Sequence, residues 1–505
     1  MSGGPSSNLE QEVKLGAWPG FSMPDLSDVE PGVVVDEQPA LDLDATYVDT
    51  EDLQLVRNGV SLRRRTGEGA PRWTLKLPAG TDGRSLSRRE FDVEDDGADV
   101  PTPLADLVTG WVRGAPLVPV AVILSHRCRL ALRDERGAEL AEIDDDEVSV
   151  LDDGHVAARF REVEVELGPD GSPGLLTRVT EALEAAGAGA PDPTSKIVRA
   201  LGPRALAAPD LEPPELDGSS PTSAVVTAAL RRSVRQLIAH DHVVRLDDDV
   251  EGVHKARVAT RRLRSDLSTL SPVLVEGWSD RLRAELGELA ADLGRVRDTD
   301  VLLARLERSV ADLPESDRCA AASVVARVGA SRAAELDELL SVMRAPDYVA
   351  LLDDLVAAAL SPHMADGADR PACEALPRLV RRRWRRLHVA VSELGADPTD
   401  ASLHAVRILA KRTRYAAELA APVVGPAAEG LAMALADVQD VLGELHDAEV
   451  AEQRLRQVLP DCTPEERFAA GELVVVERSS AAESRAAWPP AWARCDRKAL
   501  TGWLR

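Results

Sequence analysis

Residues 10–16 read EQEVKLG, and in an extended chain Glu10, Glu12 and Lys14 stand on one face because side chains alternate. The same spacing recurs. VSLRRRT (60–66) aligns Arg63 with Arg65, RWTLKLP (72–78) aligns Thr74 with Lys76, and SRREFDVE (87–94) aligns Arg88, Glu90, Asp92 and Glu94. HRCRL aligns Arg127 with Arg129, AEIDDDE aligns Glu142, Asp144 and Asp146, and RFREVEVELG (159–168) aligns Glu162, Glu164 and Glu166. For one such strand the plain reading is a half-exposed sheet with its charge in water. Seven together also fit a closed barrel that collects the rows into a polar lumen. Acidic rows offer hard oxygen ligands to divalent cations, and basic rows clamp phosphate. That is the equipment of metal-assisted phosphoryl transfer.

A second basic pattern occurs twice, as HKARVATRRLR (254–264) and HAVRILAKRTR (404–414). On a helix, positions i, i+3, i+7 and i+10 fall within an arc of roughly 80°. One stripe is therefore His254, Arg257, Arg261 and Arg264, and the other is His404, Arg407, Lys411 and Arg414. Like charges at this spacing repel, and neither window contains an Asp or Glu. The stripes expect either an external polyanion or carboxylates from another helix, for which Asp298, Asp300, Asp440 and Asp447 are candidates. LRRSVRQL (230–237) aligns with VRRRWRRL (380–387), which adds Arg231, Arg235 and a companion stripe of Arg378, Arg381, Arg382 and Arg385. Only Trp384 and Tyr415 lie nearby, so the stacking platforms of single-strand nucleic-acid grooves are missing. Each histidine opens a basic stripe, a place from which imidazole can donate to a phosphate oxygen.

The elements that carry these residues divide by pattern. Short period-two segments dominate the N-terminal part and predict strands. Residues 203–223, rich in Pro, Ser and acid, read as a linker. Beyond it lie long Ala/Leu/Arg/Glu segments of helical period, with LGRVRD (293–298) and LGELHD (442–447) continuing a duplication at an offset near 150. The expected organisation is a strand-rich domain over 8–202 and a helical domain over 224–500, with halves of about 224–360 and 374–500. At 505 residues, two or three domains are expected. The net charge of -26 argues against loose binding to nucleic acid and leaves room for a local basic pocket. Six of the 60 basic residues are lysine, and Lys14, Lys76, Lys196, Lys255 and Lys411 all fall inside motifs. MSGGPSSNLE carries no signal-peptide pattern, and no apolar run is long enough to span a membrane. Cys128, Cys319, Cys373, Cys462 and Cys495 are scattered, as free thiols of a reducing cytoplasm would be. No P-loop, nucleophile elbow or H-E-x-x-H motif is present.

Glu10, Glu12 and Lys14 resemble the ExExK signature of the CYTH superfamily, the triphosphate tunnel metalloenzymes. ATYVDTEDLQL (45–55), GVSLRRRTG, WTLKLP, RFREVEVEL and SKIVRAL (195–201) extend the likeness in order. It implies that Glu10, Glu12, Glu162 and Glu164, joined by Asp144, bind Mg²⁺ or Mn²⁺. It also implies that Lys14, Arg63, Arg65, Lys76, Arg127, Arg129 and Lys196 hold a triphosphate. The second half resembles a CHAD domain, the conserved-histidine α-helical domain, through HKARVATRRLR, HAVRILAKRTRYAAEL, LGRVRDTDV and LGELHDAEV. That resemblance implies two four-helix bundles facing across a basic cavity, and binding of inorganic polyphosphate.

The expected fold is a two-domain α+β chain, an antiparallel β-barrel tunnel followed by an all-α duplicated helical-bundle domain. The expected function is a polyphosphate-binding protein whose tunnel is a divalent-metal-dependent triphosphatase acting on tripolyphosphate. Two alternatives stay open. One is a non-enzymatic binder that targets polyphosphate granules with an inactive or sensory tunnel. The other is a nucleoside triphosphatase or nucleotidyl cyclase. A cytoplasmic place is expected, with no membrane and no specific nucleic acid as partner. The segment 17–32 is expected to form a loop and a short helix.

Overall fold

The computed structural model describes residues 6–81, 86–95 and 97–504, so the first five residues of MSGGPSSNLE lie outside the described residues. The chain forms two compact units that divide between Pro209 and Asp210.

The first unit is a closed antiparallel barrel. Its strands are β1 (Ser6–Ala17), β2 (Val34–Asp49), β3 (Ser61–Thr66), β4 (Arg72–Thr81), β5 (Leu86–Glu94), β6 (Val118–Arg133), β7 (Glu139–Asp152) and β8 (His155–Leu167), arranged β1-β5-β4-β3-β2-β6-β7-β8. Four short helices accompany them: α1 (Gln54–Arg57), α2 (Thr102–Val112), α3 (Pro173–Ala185) and α4 (Lys196–Leu201). Alternation does the sorting. Val13, Leu15, Ile143, Val163 and Val165 bury on the outer face against Leu175, Leu176, Val179 and Leu183 of α3. Each such apolar side chain contributes about 1.5–3 kcal/mol. The charged residues between them are left to face the lumen. Ser172 caps α3 by accepting from the amide of Leu175, with Pro173 in the first turn. The expected short helix after β1 is absent, and residues 18–33 form an irregular loop. Three prolines, Pro19, Pro24 and Pro31, interrupt it.

The second unit is helical: α5 (Thr222–Leu246), α6 (Val250–Leu270), α7 (Asp280–Asp312), α8 (Glu315–Val328), α9 (Arg332–Arg344), α10 (Pro346–Leu360), α11 (Ala372–Ser392), α12 (Asp400–Val424), α13 (Pro426–Val458), α14 (Pro464–Cys495) and α15 (Lys498–Thr501). Its internal symmetry is visible in two hydrogen bonds. The amide of Thr222 donates to the carbonyl of Arg370, and the amide of Ala372 donates to the carbonyl of Ser220. These are the same bond written twice at an offset of 150, so a local two-fold relates the starts of α5 and α11. The halves diverge later. α11 to α14 supply four helices, whereas the stretch of the first half that matches α14 is divided at Gly329–Ser331 into α8 and α9, and α10 follows from Pro346. α8 packs into a shared core with α14, in which Val324, Val325 and Val328 meet Ala469, Ala470 and Leu473.

Beside that core, Arg305 of α7 is buried and donates to Glu477 of α14, to Glu444 of α13 at 2.6 Å and to Ser480 at 3.1 Å. Glu477→Ala removes one of the two carboxylates on this guanidinium, leaves Glu444 to hold it, and is expected to cost about 1–3 kcal/mol. Urea unfolding checks this, with a midpoint shift at unchanged slope as the expected outcome.

Candidate functional site

The barrel encloses a cavity of about 720 Å³. Strand alternation and closure place Glu10, Lys14, Arg63, Arg65, Lys76, Arg127, Asp144 and Glu164 on its wall, and α4 closes one end with Lys196. The other three tunnel residues named from the sequence adjoin it. Glu12 lies 2.8 Å from Lys14, Glu162 lies 2.8 Å from Lys196, and Arg129 lies 3.5 Å from the lining residue Glu68. All the acidic and basic candidates of this unit are therefore brought together around one lumen.

Within it the charges neutralise one another. Lys14 sits between Glu12 and Glu164. Lys76 donates to Glu10 at 2.6 Å and meets Glu90 at 3.0 Å. Arg127 forks onto Asp146 at 2.8 and 2.7 Å, contacts Asp144, and reaches Glu164 at 3.3 Å. Lys196 gathers Asp146, Glu162 and Glu164 at 2.8–2.9 Å. Burial opposes the charge of Glu164, yet Lys14, Lys196 and Arg127 hold its carboxyl well below the usual range. Asp144 goes the other way. Burial pushes it up to about 8 against the pull of Arg127, helped by Glu142, Asp146 and Glu164. Burial and Glu10 likewise push Glu166 up to about 8.

Among the described residues no three His, Cys, Asp or Glu side chains are gathered closely enough to hold a metal ion. The donor chemistry nevertheless suits a hard divalent cation. Glu12 Oε1 and Asp144 Oδ1 are buried acceptors without a hydrogen-bond partner, and each belongs to a carboxylate whose other oxygen is held by a cation.

Several lining residues were outside the sequence-derived set. Asp146, fully buried on Arg127 and Lys196, belongs to a row that alternation had identified. Tyr47 of β2 accepts from Arg63 at 3.2 Å. β2 carries a register shift between Gln38 and Leu41 and another between Tyr47 and Val48, which alternation does not anticipate. Glu68 lies in the β3–β4 hairpin, where the period-two rule does not apply.

In the helical unit α6 and α12 bring their stripes side by side. Arg261 donates to the Tyr415 hydroxyl at 3.0 Å, and the Arg261, Arg262 and Arg414 guanidinium carbons all lie 5.3–5.9 Å from that ring's centre. Glycines on the next helices make room: Arg257 lies over Gly294 of α7, and Arg407 lies over Gly443 of α13. Arg264 lies over Gly287, where an added Cβ would meet the guanidinium at 3.2 Å. An intramolecular carboxylate is found for Arg257, which meets Asp298 at 2.6 Å, and more loosely for Arg414, 3.6 Å from Glu418. Lys411 has no carboxylate partner among the described residues. Its neighbours are Arg257, Arg261, Arg407 and Arg414, and burial together with these cations pushes its ammonium down to about 6. His254 stands beside Arg297, and burial lowers its imidazole. His404 packs on His446 with ring centres 4.2 Å apart, and burial lowers both, His446 to about 4.

Not every basic candidate joins this cluster. Arg231 and Arg235 are engaged by Glu212 instead, through its backbone carbonyl and its carboxylate. On α11, Arg382 stands with Arg383, Arg386, Arg412 of α12 and Arg283 of α7. Burial and these like charges push Arg383 down to about 10. Arg378, Arg381 and Arg385 share α11 with them, and none makes an ion pair within the unit among the described residues. Arg283, Arg383, Arg386 and Arg412 escaped the sequence reading because they lie off the repeated stripe.

Lys411 gives the cluster a pH signature. A bound polyanion restores its charge, so the complex holds more protons than the free protein between about pH 6 and the bound-state value. Affinity for any polyanion that docks on this cluster is therefore expected to fall as pH rises through that window, by up to about tenfold per unit. Calorimetry in buffers of different ionisation heat should show proton uptake at pH 7.5 that Lys411→Met abolishes.

Models of two domain families match the chain, CYTH over residues 36–201 and CHAD over residues 228–456. Uncharacterized proteins from two strains of Mycobacterium tuberculosis are 32% identical over 509 residues, spanning 95% of this chain and 95% of theirs. Among solved structures, PptA from Streptomyces chartreusis is 24% identical, with a TM-score of 0.46, over 54% of this chain and 100% of its own. The CHAD domain of the plant Ricinus communis is 24% identical, with a TM-score of 0.44, over 56% and 95%. A Hippeastrum protein with a dominant triphosphatase activity is 17% identical, with a TM-score of 0.23, over 39% and 98%.

Proposed function

The chain belongs to the family of proteins in which a CYTH domain precedes a CHAD domain, and on that premise we propose that it is a polyphosphate-binding, divalent-metal-dependent triphosphatase. The tunnel domain covers 8–202 and the helical domain 224–500. One observation carries the reading. Carboxylate rows from β1, β7 and β8 face cation rows from β3, β4 and β6 inside a single enclosed cavity. An apolar substrate has no place there. A linear triphosphate does, because it supplies the anions that Lys14, Arg63, Arg65, Lys76, Arg127, Arg129 and Lys196 need once their carboxylates turn to a cation.

Glu10, Glu12, Glu162 and Glu164, with Asp144, would hold Mg²⁺ or Mn²⁺, which supplies charge neutralisation and an oriented water when bound. Lys196 and Arg127, each shared among three carboxylates, would transfer to phosphate oxygens and stabilise the charge that develops in transfer. Tyr47, buried and hydrogen-bonded to Arg63, is the only aromatic side chain on the cavity wall among the described residues, so the wall offers little stacking surface to a nucleobase. That favours an inorganic triphosphate over a nucleotide.

In the helical domain, His254, Arg257, Arg261, Arg264, His404, Arg407, Lys411 and Arg414 would line the polyphosphate track, with Arg378, Arg381, Arg382 and Arg385 alongside. Among the described residues no helix is long and apolar enough to cross a membrane, and retention on polyphosphate would place the chain at polyphosphate granules. The test compares phosphate release from tripolyphosphate and from ATP with Mg²⁺ or Mn²⁺. Turnover of tripolyphosphate is expected to exceed that of ATP. Preferential turnover of ATP, or a cyclic nucleotide product, would replace this reading with the nucleotide one.

A further inference from the structure

The cavity wall includes Lys196 of α4, which meets Asp146 of the β7 row, and Glu68 of the β3–β4 hairpin, which shares Arg129 with Glu142 two steps along that row. At the hairpin a carboxylate occupies the arginines. Glu68 Oε2 accepts from Arg65 at 2.9 Å and lies 3.9 Å from Arg72, while Oε1 accepts from Arg129 at 3.5 Å. The Glu68 carbonyl accepts from Arg72 at 3.2 Å. Two oxygens shared among three guanidinium groups is the pattern a terminal phosphate would make. We propose that Glu68 is a surrogate anion that caps the basic end of the cavity and determines how long a phosphate chain it admits. The inference rests on the triphosphate reading of this cavity and adds its length selectivity.

Two features of the hairpin fit that role. Glu68 is flanked by Gly67 at φ 103° and Gly69 at φ 65°, conformations that glycine adopts without the penalty other residues incur. A Cβ at residue 67 would also lie 2.0 Å from the carbonyl oxygen of Asp42, so the hairpin's path is fixed and aims Glu68 inward. The capture is also incomplete. Burial and Arg63 push the Arg65 guanidinium down to about 10 even with Glu68 beside it, so Arg65 still favours a further anion. A triphosphate would reach from Lys196 towards Arg65 and compete with Glu68 only at its end. A longer chain would have to displace Glu68 altogether.

The test titrates tripolyphosphate and a long polyphosphate into the full-length chain carrying Arg261→Glu and Lys411→Glu, so that the helical track does not contribute. In that background Glu68→Gln is expected to bind tripolyphosphate about tenfold tighter, the scale of one charge-assisted contact released, and to bind the long chain, which the parent rejects. Glu139→Gln is the control, because that lining carboxylate pairs with Arg133 at 3.1 Å rather than with Arg65 or Arg129. If Glu68→Gln leaves both affinities unchanged while the parent still binds tripolyphosphate, the proposal falls and the cavity reading stands. An equal gain in Glu139→Gln would also overturn it, as a general charge effect. If the parent binds no tripolyphosphate, the cavity reading itself falls.

Discussion

Glu162→Gln combined with Glu164→Gln is expected to lower metal-dependent phosphate release from tripolyphosphate by on the order of a thousandfold, with the barrel intact. Both carboxylates stand on β8 and are buried, and both are held by Lys196 at 2.8 Å. The substitutions keep volume and remove charge. Lys196 retains Asp146 at 2.9 Å, and Lys14 retains Glu12 at 2.8 Å, so neither ammonium is stranded. Thermal unfolding should therefore change little while turnover collapses. Near-normal turnover in a folded double variant would remove β8 from the metal site.

Lys411→Glu is expected to move binding and stability in opposite directions. Four arginines surround Lys411, which has no carboxylate of its own, although Asp298, Glu418 and Asp447 offset Arg257, Arg414 and Arg407 in part. A carboxylate at that position would pair with them and raise the melting temperature. It would also occupy the anion site, so retention of long-chain polyphosphate should fall by at least about tenfold, and further when Arg261→Glu is added. On the proposed reading a polyanion relieves the repulsion that remains among these cations in the free state, and such trade-offs between stability and function are common at binding sites. Binding by the native chain should also weaken steeply with salt. A variant that gains stability yet keeps full retention would show that the stripes are structural.

Much of this was legible because period two leaves little freedom. Once Val163 and Val165 must bury, Glu162, Glu164 and Glu166 must face the other way, and closure of the barrel makes that side a lumen. The same holds for Arg63 and Arg65 against Leu62. The limits were equally physical. Pairing between rows depends on register, so the sequence did not show that Lys196 bridges Asp146, Glu162 and Glu164. Bulges in β2 hid Tyr47, and a hairpin hid Glu68. In the helical unit the repeat exposed the stripes on α6 and α12. It did not reveal that Arg231 and Arg235 are drawn to Glu212, because that partner comes from an irregular segment outside the repeat. Nor did it reveal the Arg283–Arg383–Arg386–Arg412 cluster, which arises only where α7, α11 and α12 converge.

The central claim is that the opposed charge rows of the barrel form a metal-dependent site for triphosphate. Phosphate release from tripolyphosphate by the purified full-length chain, with Mg²⁺ or Mn²⁺ and with EDTA, tests it most directly. The account predicts turnover that requires the metal and that EDTA abolishes. No turnover in a folded preparation that still retains long-chain polyphosphate would contradict it, and would leave the helical unit as the working part of the chain.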